Sequence, residues 1–553
     1  MDVCLERNGD SMKKNDILRG TVTGYTSEGQ GVCRLEGRAV FVKNAVAGEE
    51  ADVRILKVSN TAVYGKIERL IRPSEERCEP ACGIASACGG CALMHMSYAE
   101  ELRMKRARVD DALKRIGGLD LKTECIHGSE AQLHYRNKAI YSAGARDGKA
   151  VTGFYRRHTH DVVPCEECLI QAPFADRAAA VTRKWMDLYH VPPYEETSGE
   201  GLVRRVFARY AFGTGQGQAV LVTAEDAVPH IEEWAEMIRE ECPEAQSVVL
   251  NVNRTRGNTV LGGEFRTLRG TDTIDEIICG LRFRLSPVSF CQINIPQAQR
   301  LYERAVDLAG LSGTETVLDL YCGTGTISLC LARRAGRVIG AEIVPEAVED
   351  AKRNAEENGI GNAEFICADA GRAAAWLREK GTRADVAVVD PPRKGLAPDV
   401  IGTLAAIGPE RIVYVSCDPG TLARDLNLFD GLGYRAERAE ALDMFPRTSH
   451  VETVVQLSKG NISSQNVRVE FSLEDMDMSR FQQGATYEQI QAWVQEKYGF
   501  HVTHLNIAKT KRKCGILERE NYNLPKSEDS RPPETPKVKE DAIIEAFRHF
   551  QMI

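Results

Sequence analysis

The stretch VLDLYCGTGTISLCLA, residues 317–332, constrains the fold more than any other part of the chain. It opens as an apolar strand, turns through Gly323 and Gly325, and continues as an apolar helix. A strand, a Gly-rich turn and a helix begin a parallel α/β sheet, with the turn free to approach a ligand closely. The turn reads D-x-x-C-G-x-G and lacks the phosphate-cradling G-x-G-x-x-G of dinucleotide folds. Strand and helix patterns then alternate from about residue 281 to 457, which predicts a parallel α/β domain. RVIGAE ends the next strand at Glu342, where a carboxylate can take ribose hydroxyls. FICADA carries Asp369 to the following strand end, suited to an adenine edge. The series points to a nucleoside cofactor at the carboxyl ends of the strands.

At 553 residues the chain is too long for one core. Residues 13–72 hold five short strands separated by turns, the pattern of a small OB-like barrel. Residues 73–280 read as a mixed α+β central domain, and 281–458 as the α/β domain. Residues 459–553 form an extension of different composition, with an amphipathic segment YEQIQAWVQEKYGF, a basic KTKRK and a final helix DAIIEAFRHFQ. Residues 1–14 read as a loose start without the apolar core of a secretion signal. No apolar stretch is long enough to span a bilayer, so a cytoplasmic, membrane-free monomer is the expectation.

The net charge of −8 argues against a general nucleic-acid binder. Residues 101–160, however, carry 13 Lys and Arg against 7 Asp and Glu, a local basic footprint. Seventeen cysteines in a chain without a secretion signal favour metal binding or catalysis over disulfides.

One cysteine stands out by position. RIVYVSC is a buried-strand pattern, and the turn sequence Asp-Pro-Gly-Thr follows it, so Cys417 marks a strand end. On residue type alone it is a small core residue, as Cys322 and Cys330 are read. The alternative is a nucleophile whose thiol is acidified by the next helix N-terminus or a nearby cation. Such a thiolate can add to an electron-poor ring carbon, and the reaction then needs a base nearby to take a proton. FPRTSHVE offers Glu452 as that base and His450 as the runner-up.

The Gly-rich turn, Glu342 and Asp369 resemble class I (Rossmann-like) S-adenosylmethionine-dependent methyltransferases. Base-amino methyltransferases place an aromatic residue after Pro-Pro; here DPPRKG has Arg393, which favours chemistry at carbon. SCDPGTLARDL, DPPRKG, FPRTSHVE, SFCQIN and LDLYCGTGT together resemble the RNA uracil-C5 methyltransferase family over about residues 15–458. The resemblance implies Cys417 as nucleophile and Glu452 as proton acceptor. It implies Gln292, Tyr321, Glu342 and Asp390 as S-adenosylmethionine contacts, beside Gly323 and Asp369. It likens the barrel to a TRAM domain.

Cys82-x5-Cys88-x2-Cys91 and the distant pair Cys165 and Cys168 leave two metal readings open on spacing alone. One is a Cys4 zinc site from two C-x2-C knuckles; the other is an iron–sulfur cluster. The resemblance implies a [4Fe–4S] cluster on Cys82, Cys88, Cys91 and Cys168, with Cys78 and Cys165 as extras. It also implies 23S ribosomal RNA as substrate. Transfer RNA, or a non-catalytic RNA-binding iron–sulfur protein, are the alternatives.

Overall fold

The computed structural model describes residues 12–157, 159–257, 259–460, 487–514 and 536–549. It divides into two units, Met1–Ile462 and Ser463–Ile553. The expected loose start lies almost entirely outside the described residues, as does most of the Pro-rich, charged stretch NLPKSEDSRPPETPKVKED, which reads in sequence as a linker.

Five strands, Ile17–Tyr25, Gly31–Leu35, Arg38–Lys43, Glu50–Val58 and Val63–Arg72, close into a barrel. Closure follows from alternation: Val40, Val42, Val53, Ile55 and Val63 point inward and are buried. A Cβ at Gly20 or Gly65 would collide with inward side chains, so the barrel interior is filled.

A seven-stranded sheet forms the centre of the first unit. Its spatial order is Glu264–Gly270, Ala245–Val252, Gln216–Thr223, Val203–Ala211, Lys138–Arg146, Lys149–Tyr155 and Val162–Pro164. Helices Pro173–Leu188 and Ile231–Glu241 bury Trp185 and Trp234 against it. The hairpin Ile274–Ile278 and Leu281–Leu285 leads out of it.

The α/β region has eight strands. In spatial order they are Ala363–Cys367, Arg337–Glu342, Thr316–Leu320, Val386–Val389, Arg411–Ser416, Glu452–Lys459, Tyr434–Leu442 and Ile126–His127. The first five are parallel, and Glu452–Lys459 runs antiparallel between its neighbours. The five parallel strands are Val-, Ile- and Leu-rich because helices cover both faces. The order turns back beside Thr316–Leu320, and that switch point opens a crevice at the carboxyl ends.

Residues 98–127 differ from the expected boundary. Helix Tyr98–Arg115 buries Val109, Ala112 and Leu113 in the α/β core, and Ile126–His127 joins the sheet edge. The segment belongs structurally to the sheet it stabilises, although it lies well before it in sequence.

The second unit contains helices Tyr487–Tyr498, His504–Lys513 and Lys537–His549. Ile490, Val494, Val502, Ile507, Ile543 and Phe547 form its own core. The basic KTKRK lies on the second of these helices. Among the described residues, no helix is long and apolar enough to cross a membrane.

Candidate active site

A cavity of about 540 Å³ opens at the switch point. Gln292, Tyr321, Gly323, Glu342, Asp390, Cys417 and Glu452 all line it. Their convergence is a consequence of sheet register. Ser416 pairs with Thr453 across the antiparallel ladder, so Cys417 and Glu452 are the next opposed positions on the two strands. Directly opposed residues of such a ladder hold their Cβ atoms about 4.5–5.5 Å apart. Val389 pairs with Tyr414, which brings Asp390 to the same edge.

Cys417 lies between the strand Arg411–Ser416 and the helix Pro419–Gly431, and is half-buried. Asp418 caps that helix, accepting the N–H groups of Gly420 and Thr421, each at 2.9 Å. The same helix pins the Pro-Pro loop. Thr421 Oγ1 donates to the Arg393 carbonyl, Arg424 to the Lys394 and Leu396 carbonyls, and Leu396 N–H to Asp425. At Gly395, with φ of 72°, a Cβ would fall 2.5 Å from Asp425 Oδ2.

The electrostatics of Cys417 correct the expectation of an acidified thiol. Burial pushes its pKa up to about 11, and the carboxylates of Glu452 and Asp390 add to the rise against the opposing Arg393. The helix N-terminus does not help, because Asp418 has already taken its N–H groups. Burial, with Asp390 beside it, pushes Glu452 up to about 8, and burial pushes Asp390 up to about 7. Burial together with Arg393, Arg108 and Lys105 lowers His450 to about 4, so it is neutral near pH 7.

On the cofactor side, Glu342 accepts the N–H groups of Gly323, Ile343 and Val344. Gly323 has φ of 54°, and a Cβ there would meet nothing within 4 Å. Gly325, φ 83°, has Phe365 and Ala351 at 3.0 and 3.2 Å from a Cβ position, so a larger residue would crowd the turn.

Asp369 is a second correction. The strand ends at Cys367, and Asp369 caps helix Ala370–Glu379 by accepting the Arg372 N–H at 2.8 Å. It is exposed and absent from the cavity lining.

Asp319, Lys138 and Phe290 are among the lining residues that were not foreseen. Asp319 is buried, accepts the Ser328 hydroxyl at 2.5 Å, and leaves Oδ1 without a partner. Burial pushes it up to about 7. Lys138 reaches the cavity from the central sheet, with its pKa lowered to about 8 by burial and then by Arg209. Phe290 lies at the cavity wall with 68% of its surface exposed. Asp319 heads the motif already quoted and was findable; Lys138 depends on packing between two distant sheets and carried no local signal.

A second cavity, about 420 Å³, is lined by Cys82, Cys88, Cys91, Cys165 and Cys168, with Arg136 and Arg157. Cys78 is exposed and lies outside this lining. All five lining thiols are free. Among the described residues, no three of these sulfurs lie within 4.8 Å of one another; the one metal-sized group is Cys125, His127 and Glu440. There Arg304 forks onto both Glu440 oxygens at 2.9 and 2.6 Å, which makes that group an ion pair.

Comparisons with known proteins agree on one relationship. A family model described as tRNA (Uracil-5-)-methyltransferase matches residues 232–460, and a TRAM domain model matches 13–67. An RNA methyltransferase of Clostridium tetani, described as uncharacterized, is 42% identical, covering 81% of this chain and 97% of the relative. One from Listeria innocua, described likewise, is 40% identical, with 81% and 98% covered. A solved structure, the Pyrococcus abyssi tRNA (uracil-54, C5)-methyltransferase in complex with S-adenosyl-L-homocysteine, is 29% identical with a TM-score of 0.65, covering 80% of this chain and 99% of that one. With the barrel, the switch-point cavity and these relatives together, the chain belongs to the RNA (uracil-5-)-methyltransferase family.

Proposed function

We propose that this protein methylates C5 of a uridine in ribosomal RNA, with S-adenosylmethionine as donor and a covalent adduct on Cys417. The observation that carries the reading is the opposed placement of Cys417 and Glu452 beside Asp390 on one cavity.

The residues present fit the cofactor. The orphaned Asp319 Oδ1 offers an acceptor to a cationic amino group, Glu342 stands at the second strand end for a ribose, and Gly323 leaves its approach open. Gln292, Tyr321 and Asp390 complete the lining. Bound S-adenosylmethionine supplies an electrophilic methyl group.

Cys417 thiolate adds to C6 of the uracil, and the C5–C6 electron pair becomes an enolate. C5 uses that pair to take the methyl group as the S–CH3 bond of the donor breaks, its electrons returning to sulfur and S-adenosylhomocysteine leaving. Glu452 carboxylate then accepts the C5 proton, the C5–C6 double bond returns, and the C6–S bond breaks to release Cys417. Burial pushes the Cys417 thiol up to about 11, and Arg393, beside it, favours the anion. Reaching Cys417 requires an extruded base, which suits a loop or single-stranded target.

The second cavity fits an iron–sulfur cluster on Cys82, Cys88, Cys91 and Cys168. A tetrahedral zinc ion with bonds of about 2.3 Å would draw its sulfurs to roughly 4 Å from one another. No three of the pocket's thiols lie within 4.8 Å of one another. Methyl transfer is redox-neutral, so the cluster is a staple between the cysteine segment and the central sheet.

The barrel matches a TRAM model and suits an RNA substrate, and the family resemblance noted above implies ribosomal RNA. Transfer RNA is the second reading, favoured by the solved relative whose described substrate is tRNA. Mapping 5-methyluridine in ribosomal and transfer RNA from a deletion strain and its parent decides between them. Loss confined to transfer RNA would overturn the ribosomal assignment.

A further inference from the structure

The two cavities share a wall. Arg393, Phe445 and His450 line both. The loop that forms much of this wall, residues 445–450, runs directly into the strand that begins with Glu452. How that loop is held therefore bears on where the base stands.

Arg447 concentrates the anchors. Its backbone is left-handed, φ 70°, a conformation costly for an L side chain and kept only where surroundings over-determine it. Its carbonyl accepts the N–H groups of Ala92 at 2.9 Å and Leu93 at 3.1 Å, the two residues after Cys91. Its own N–H donates to Glu101 Oε1 at 2.7 Å. Its guanidinium donates to Gln132 at 2.5 Å and to the Met96 carbonyl at 3.4 Å, and lies 5.6 Å from the Tyr98 ring centroid. Around it, Lys105 Nζ ties Glu101, Asp443 and the Phe445 carbonyl together at 2.7, 2.6 and 3.1 Å. Tyr135 donates to the Pro446 carbonyl and Arg108 to the Ser449 carbonyl.

From this geometry we infer that Arg447 is a positioning residue that couples the cysteine pocket to proton removal at C5. The inference rests on the covalent reaction proposed above. The Arg447 carbonyl fastens the end of the cysteine segment to the loop that leads into Glu452, and its guanidinium, held by Gln132, Met96 and Tyr98, keeps that carbonyl in place. Glu452 first acts after methyl transfer, so a loosened clasp delays adduct release. Cofactor binding is spared, because Asp319, Gly323 and Glu342 are carried by other strands.

The test compares Arg447→Ala, Arg447→Lys and Glu452→Gln in the full chain, mixed with substrate RNA and S-adenosylmethionine and quenched in denaturant. Covalently trapped protein and S-adenosylhomocysteine affinity are measured. Arg447→Ala is expected to slow adduct release about tenfold, since misplacing a reacting group by about 1 Å can cost up to ~100-fold. Its S-adenosylhomocysteine affinity is unchanged, and Arg447→Lys recovers part of the rate. Release at the wild-type rate in Arg447→Ala, while Glu452→Gln traps adduct, overturns the inference alone. No trapped adduct in Glu452→Gln overturns the reaction on which it rests. Hydrogen exchange supplies a readout independent of turnover: Cys88→Ala is expected to speed exchange across residues 445–450. Unchanged exchange there overturns the link to the cysteine pocket.

Discussion

The two adjoining cavities are built in opposite ways. The reaction cavity stands on strand ends, where ladder pairing sets Cys417, Glu452 and Asp390 to within a residue. The cysteine pocket stands on loops and one short strand edge, and its sulfurs have no ladder to space them. A site on a sheet takes its spacing from the ladder, and can therefore carry groups that are individually unfavourable. Asp319, Asp390 and Glu452 are all held protonated to higher pH than ordinary carboxyls. A site on loops needs something bound to define it. The contrast agrees with the roles proposed above, chemistry for the first cavity and cohesion for the second.

The strongest way to break the contrast is at the nucleophile. Cys417→Ala is expected to abolish methyl transfer, by at least ~1,000-fold, because a residue acting as a covalent unit with its base cannot be replaced by the base alone. S-adenosylhomocysteine binding should persist, measured by calorimetry. Cys322, buried in the same cavity wall, provides the control, since Cys322→Ala removes a thiol with no opposed base.

Next in size is the base. Glu452→Gln should slow adduct release by about 100- to 10,000-fold, the usual range for general base catalysis. Rapid-quench kinetics with separation under denaturing conditions would show this.

The cysteine pocket should respond to metal and not to single proton transfers. Anaerobically purified protein is expected to be brown, with about four irons per chain, as Cys4 ligation of such a cluster implies. Cys88→Ser should lose the iron, and Cys78→Ser, outside the lining, should keep it. A colourless preparation loaded with zinc would assign the pocket to the other ion.

The smallest expected effect concerns pH. Glu452 has a folded-state pKa near 8 against 4.5 for an ordinary glutamate. The folded state therefore holds the proton more tightly than the unfolded state. Stability tied to this proton is present below about pH 4.5 and is lost as the pH rises to about 8. Glu452→Gln should flatten that part of the profile, read from thermal midpoints across the range. Adduct release, which needs the carboxylate, should instead rise through about pH 8.

Much of the cofactor half was legible in the sequence. Apolar strand patterns, Gly323 and Gly325, and Glu342 at a strand end are local features, and the sheet places them as read. Cys417 and Glu452 were identifiable as types at strand boundaries. Their opposition was not, because it depends on Glu452–Lys459 inserting between two earlier strands. Asp369 misled because a strand-end aspartate and a helix cap look alike in sequence, and the helix took it. The same competition misdirected the expected acidity of Cys417: Asp418 satisfies the helix N-terminus that the thiol was expected to use. Lys138 and Arg447 owe their positions to contacts across large sequence separations, which no local pattern carries.

The central claim is that Cys417 forms the covalent bond and Glu452 ends it. Peptide mass mapping of Glu452→Gln, incubated with RNA and S-adenosylmethionine, tests it most directly. The account predicts a uridine adduct carrying one added methyl group on the peptide that contains Cys417. An adduct on any other cysteine, or full turnover with no adduct, would contradict it.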